Sequence, residues 1–117
     1  MKAIINLAPR GSVFATATTQ LAAAESGAPA DYRLHFESAR ALFAELTPAR
    51  IELLDTLRRQ GACSVYALAK AAARNYSNVH ADVAALEALG LAQRTPDGAV
   101  EVPFDAVEIH LDMAAVA

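Results

Sequence analysis

The sequence predicts an α+β fold, mainly helical, and three observations carry that reading. Two short stretches, Val65–Ala73 and Tyr76–Leu89, place apolar residues on a 3.6-residue period and are joined only by Arg74 and Asn75. A turn sequence, Thr95-Pro-Asp-Gly98, lies between two short runs, Leu91–Arg94 and Ala99–Pro103. Three outlying segments, Lys2–Leu7, Tyr32–Phe36 and Val107–Asp112, are apolar or alternate apolar and polar residues, the period of a half-buried strand. Helix, tight turn, helix and hairpin in that order predict a winged helix-turn-helix over residues 38–103. A strand–helix–strand extension over 1–37 and an acidic strand or tail over 104–117 would flank it, with the added strands used in dimerisation.

Each element has a local reason. Lys2–Leu7 is β-branched and apolar, so it reads as a strand. Ser12 can cap a helix running to about Ser26, where Gly27 suits the C′ position, and Ala28–Asp31 links onward. Tyr32–Phe36 alternates strictly, with His35 on its polar side. Ser38 can cap a helix to Leu46 whose inner stripe is Leu42, Phe43 and Leu46. Thr47 and Pro48 start the next helix, because proline at the first helical position loses no hydrogen bond. Ile51, Leu54 and Leu57 form its stripe, and Gly61 ends it. Ser64 caps the short helix that follows, with Val65, Leu68 and Ala69 inward and Lys70 outward. The second helix turns Tyr76, Val79, Val83 and Leu86 inward and stops at Gly90. A strand with one apolar face cannot stay exposed, so the three outlying strands are expected to pair with one another or across a dimer.

The bulk composition narrows the class. With 117 residues, the chain has room for one domain with extensions. Hydrophobic residues are 55% of it, but much of that is Ala, which favours helix and buries little area. The core therefore depends on a few large anchors and would be helped by oligomerisation. The single cysteine, Cys63, excludes an internal disulfide and suits a reducing cytoplasm. A small buried apolar role fits it better than a reactive thiol. Pro9 and Arg10 cut the N-terminal apolar run short of the ~7–15 residues of a signal-peptide core, and no run approaches the ~18 apolar residues of a membrane span.

The formal net charge of −3 hides its distribution. Between 47 and 94 stand six basic residues (Arg50, Arg58, Arg59, Lys70, Arg74, Arg94) and four acidic ones (Glu52, Asp55, Asp82, Glu87), a balance of +2. Residues 95–117 carry Asp97, Glu101, Asp105, Glu108 and Asp112 with no basic group, a balance of −5. The basic part coincides with the helix-turn-helix, which points to double-stranded DNA as partner and an acidic tail turned away from it. With Val79 inward, a 100° step per residue puts Ser77, Ala81, Ala84 and Ala88 on the outer stripe, flanked by Asn78 and His80. Ser77, Asn78 and Ala81 would meet base edges, since Asn bonds adenine bidentately and an Ala methyl touches thymine. Asn75, Ser77, Arg74, Lys70 and Arg94 are placed for phosphates, with Ser64 at the start of the preceding helix. Each has a plainer role beside it: Asn75 as a cap, Tyr76 in the core, His80 in solvent, Asp82 in an internal ion pair, the Ala stripe as a protein-binding face.

Four fragments together, Leu46–Leu54 (LTPARIELL), Tyr76–Val83 (YSNVHADV), Leu86–Leu91 (LEALGL) and Val102–Asp105 (VPFD), resemble MarR-like winged helix-turn-helix proteins, predicted transcriptional regulators of bacteria and archaea. The resemblance covers essentially the whole chain. It implies that Tyr76–Val83 opens the recognition helix, with Tyr76, Asn78, His80 and Asp82 at the site beside Arg74. Members of that family often carry a basic residue where this chain has Ser77, and another where it has Ala81. Some relatives lie beside a small toxin gene and look like its antitoxin.

The function expected is a homodimeric, sequence-specific regulator on a palindromic operator, autoregulatory as a repressor and cytoplasmic. The alternative is an antitoxin or interaction module that neutralises a small toxin protein through its acidic end. An enzyme is not expected. His35, His80 and His110 fall in three elements, and Cys-x-x-Cys, His-Glu-x-x-His and Gly-rich phosphate loops are missing, so no catalytic residue, metal or cofactor is expected.

Overall fold

In a computed structural model, residues 1–8 and 30–113 are described. The helix expected from Ser12 to Ser26, its Gly27 terminus and the first half of the following linker lie outside the described residues. Among the described residues the fold is α+β, with four helices and two small sheets. It divides into two units, one of residues 1–44 with 104–117, the other of residues 45–103.

The first unit is built on three strands, β1 (Lys2–Leu7), β2 (Tyr32–Phe36) and β5 (Ala106–His110), in the order β2-β1-β5. The outlying strands therefore pair with one another, and both pairings are parallel. Parallel neighbours need long crossovers, and β5 reaches β1 only after the whole second unit has intervened. In-register residues share a face, so Ala3, Ile5 and Leu7 align with Tyr32, Leu34 and Phe36 on one side and with Val107 and Ile109 on the other. Ala3 and Ile5 of that apolar face are fully buried. Asn6 of the opposite face lies between His35 and His110, so two of the three histidines share one row.

Met1 and the residues just before β5 tie one end of this sheet together. The Met1 amine sits 2.7 Å from Asp105 Oδ2, and Asp105 N donates to the Met1 carbonyl. The Tyr32 and Phe104 rings stack at 5.6 Å. Helix α1 (Ala39–Glu45) begins as expected on Ser38, whose Oγ accepts from Ala41 N. Leu42 is buried, but Phe43 is 44% exposed and leaves the predicted inner stripe. Residues 42 and 43 are 100° apart on a helix, so one narrow stripe cannot hold both.

The second unit packs helices α2 (Pro48–Gln60), α3 (Val65–Ala72) and α4 (Tyr76–Ala88) with a hairpin of β3 (Gln93–Arg94) and β4 (Val100–Glu101). Thr47 Oγ1 caps α2 through Arg50 N, and Pro48 sits where no hydrogen bond is lost. The buried face of α2 is Leu53, Leu54 and Leu57; Ile51 is only half-buried, and Leu53 takes its place. Gly61 closes α2 at φ 78°, ψ −172°, a region that side-chain-bearing residues avoid. Ser64 Oγ caps α3 through Ala67 N. Val65, Leu68 and Ala69 face the core with Val79, Val83 and Leu86 of α4, and with Leu91 and Val100 beyond it.

The hairpin strands have only two residues each, shorter than expected, because Leu91 and Ala92 turn into the core before pairing begins. Cys63 bridges Val100 from the other side, with N–H to carbonyl distances of 3.0 and 2.8 Å. Burial pushes the Cys63 thiol up, which keeps it protonated.

Candidate nucleic-acid interface

Three residues separate α3 from α4. Ala73 takes the left-handed conformation at φ 54°, the one non-glycine residue with positive φ among the described residues. Its N–H returns to the Lys70 carbonyl, and Arg74 N returns to that of Ala69, which turns the chain within a few residues. Asn75 then caps α4, its Oδ1 accepting from Ser77 N (2.8 Å) and Asn78 N (3.3 Å). The cap occupies the Asn75 side chain, which leaves it less free for any other partner.

Past the cap, the outer side of α4 is open. Ser77, Asn78, His80, Ala81, Ala84 and Ala88 are all exposed, while Val79, Val83 and Leu86 are buried. The stripe of small residues predicted to face outward does so. Tyr76 corrects the prediction: it is 49% exposed rather than in the core. As the first residue of α4 it precedes the turn that Val79 anchors, and its ring lies beside that of His80 at 5.9 Å.

Asp82 holds this helix to its neighbours. Arg50 Nε of α2 donates to its Oδ1 at 3.1 Å, and Arg74 Nη2 to its Oδ2 at 2.7 Å. Burial alone would push the Asp82 carboxyl up, but the hydrogen bonds from Arg74 and Arg50 outweigh it and hold the group below its ordinary range. Arg50 also donates to the Glu45 carbonyl, so the cluster ties the start of α2, the turn and α4 together.

Arg94, on β3, pairs with Glu87 at 3.0 Å. Glu87 lies eleven positions after Tyr76, about 16 Å along the helix. Arg94 therefore stands near the far end of α4 from Lys70 and Arg74. At the hairpin tip the Thr95 hydroxyl bonds Asp97, and this with the backbone N–H of Ala99 holds the Asp97 carboxyl down.

Lys70, Arg74 and Tyr76 do come together. They line a shallow depression of about 270 Å³ with Ala69 and Tyr66. Tyr66 is 67% exposed and was missed in the sequence, although it precedes Lys70 by four residues, one helical turn on the same face. Ser64 is taken up in capping α3. Arg58 and Arg59 both pair with Asp55. Of the lysines and arginines in 45–103, Lys70 alone has no ion-pair partner among the described residues. The site thus presents one unpaired cation, two exposed tyrosines, an open helix N-terminus and a small-residue face carrying Ser77 and Asn78.

Among the described residues no group of three or more His, Cys, Asp and Glu side chains is placed to hold a metal ion. No described helix is long and apolar enough to cross a membrane. Comparison with known proteins gives a match to a family model described as HVO_A0114, over residues 45–109. No curated protein and no solved structure matches.

Proposed function

The chain belongs to the HVO_A0114 family, whose model covers more than half of it, and from its geometry we propose that it is a homodimeric, sequence-specific regulator of transcription that binds double-stranded DNA. In this reading α3, the turn at Ala73 and α4 are a helix-turn-helix, and the β3–β4 hairpin is its wing. The observation that carries it is the outer face of α4: small residues with Ser77 and Asn78 near an Asn-capped N-terminus, unobstructed by the rest of the unit. A side chain in that position reads base edges in a major groove. Lys70, the Tyr66 and Tyr76 hydroxyls and the first backbone N–H groups of α4 contact phosphates. Arg74 acts mainly by positioning α4 through Asp82. Two copies would reach successive grooves ~34 Å apart, on a roughly palindromic operator.

The alternative, an acidic C-terminal end that docks on a basic toxin, draws less support. Asp105 faces the chain's own Met1 amine, and Glu108 faces Lys2.

Fluorescence anisotropy with duplex DNA from immediately upstream of the gene, against a scrambled duplex at several salt concentrations, tests the proposal. Binding ~10³-fold or more selective, weakening as salt rises, is the expected result. Equal, weak binding to both duplexes would overturn it.

A further inference from the structure

The β2-β1-β5 sheet ends in two edges, and among the described residues β5 is paired only with β1. Among the described residues no strand pairs with the outer row of N–H and C=O groups on β5, which is half-buried from Ala106 to Ile109. Such a row is a template for another strand. The commonest soluble oligomers are two-fold dimers, and a two-fold axis perpendicular to a sheet joins identical edges antiparallel with like faces aligned. The axis must then pass through a residue, because a one-residue slip would bring the apolar face of one copy beside the polar face of the other.

The charges on β5 select among the possible registers. An axis at Glu108 opposes two carboxylates directly. One at His110 sets the histidines together and Glu108 against Asp112, while one at Val107 leaves Glu108 against Ala106. An axis at Ile109 sets Ile109 against its copy, Val107 against Leu111, and Glu108 against His110 twice. The last sets each carboxylate against an imidazole, which can donate a hydrogen bond to it, opposes no like charges and continues the apolar face. Within one chain Glu108 already approaches His110 Nε2 (2.9 Å) and Lys2 Nζ (3.1 Å), so these groups share the polar face on which the cross-strand pairs would form. The β2 edge offers no such pair, since self-pairing through its middle residue Leu34 sets Arg33 against His35 with no carboxylate at either contact.

We propose that two copies of this chain associate through β5, antiparallel about a two-fold axis at Ile109, into one continuous six-stranded sheet. This deepens the homodimer of the reading above and rests on it for its purpose. Association is measured without DNA, so its failure leaves the DNA reading standing.

Sedimentation equilibrium of the full chain tests it. Wild type should be dimeric at micromolar concentration. His110→Glu opposes two carboxylates at both contacts, Glu108→Lys removes the carboxylate that His110 would meet, and each should weaken the dimer about tenfold. Mixed together, the two variants place opposite charges at one contact and keep the wild-type Glu108–His110 pair at the other, so a heterodimer should form in preference to either homodimer. Thermal melts check that each variant is folded. In a Cys63→Ser background, Ile109→Cys should oxidise to a covalent dimer, because a residue on the axis meets its copy within disulfide reach. Val107→Cys should not, its copy lying four residues away, about 13 Å along the strand. A monomeric wild type, a dimer indifferent to both charge variants, failure of the mixture to associate, or equal cross-linking at 107 and 109 would each overturn the proposal.

Discussion

Asp82→Asn removes the charge that joins α2, the turn and α4, and its cost can be worked from the geometry. The carboxylate accepts two charge-assisted hydrogen bonds, at 3.1 and 2.7 Å, each of a kind worth about 1.5–3 kcal/mol. Side-chain exposure is 15% for Asp82, 23% for Arg50 and 29% for Arg74, so in the variant both arginines can regain some water. Asparagine also keeps one acceptor oxygen, so the loss is close to that of one such bond, about 2–3 kcal/mol, rather than the ~3–5 kcal/mol of a fully buried pair. At ~4 °C per kcal/mol for a chain of this length, Tm falls by about 8–12 °C. The sign with pH follows from the depressed carboxyl. A folded pKa below the unfolded value of ~3.9 gives stability that is complete above that value and is lost as pH falls through the folded pKa. Urea unfolding of wild type and variant should therefore differ in full from about pH 7 down to about pH 5, and converge as the pH falls through the folded pKa. A difference below about 0.5 kcal/mol at neutral pH, or one that persists unchanged in acid, would refute this account of what holds α4.

Three further outcomes are expected. Lys70→Ala should weaken binding to specific and scrambled duplexes alike and reduce the salt slope by about 0.9 per protomer, measured by anisotropy across a salt series. Asn78→Ala should leave the slope intact and relax preference at one base position by ~1–3 kcal/mol, read from a panel of single-base operator variants. Gly61→Ala meets open space but must hold a φ of 78°, so urea unfolding should show a loss of ~1–3 kcal/mol from backbone strain alone.

Local features of the fold were legible in the sequence because their causes are local. Thr47, Ser64 and Asn75 cap the helices beside them, and the spacing of Val79, Val83 and Leu86 gives the buried face of α4. The outer stripe follows from that same period. The partner of each terminal strand was not legible. Alternation in Val107–Asp112 reports a face but neither a neighbour nor a direction, and the neighbour proved to be β1, paired parallel across about a hundred residues. Tyr76 was misread because apolar periodicity counts a terminal aromatic as core, whereas a residue in the first turn has nothing above it to bury it. Asp82 was expected to make an internal ion pair, yet Arg50 lies 32 residues away in sequence and only packing could name it.

The distribution of charge within residues 45–103 bears on the proposed function more than its sum. Arg50 and Arg74 hold Asp82, Arg58 and Arg59 hold Asp55, and Arg94 holds Glu87, which leaves Lys70 unpaired among the described residues. Exposed pairs such as Arg94 with Glu87 contribute ~1 kcal/mol or less, so Arg94 can exchange its carboxylate for a phosphate at small cost. Arg74 is less free to do so, because its partner also anchors α4. A protomer with so few available cations gains little from counterion release, and would bind one half-site weakly. Joining two such protomers makes the second contact intramolecular, which raises affinity by ~10²–10⁴ without any new phosphate contact. If both proposals hold, the edge of β5 and the open face of α4 would serve one mechanism: the face would discriminate among sequences, and the edge would supply the affinity that the face lacks.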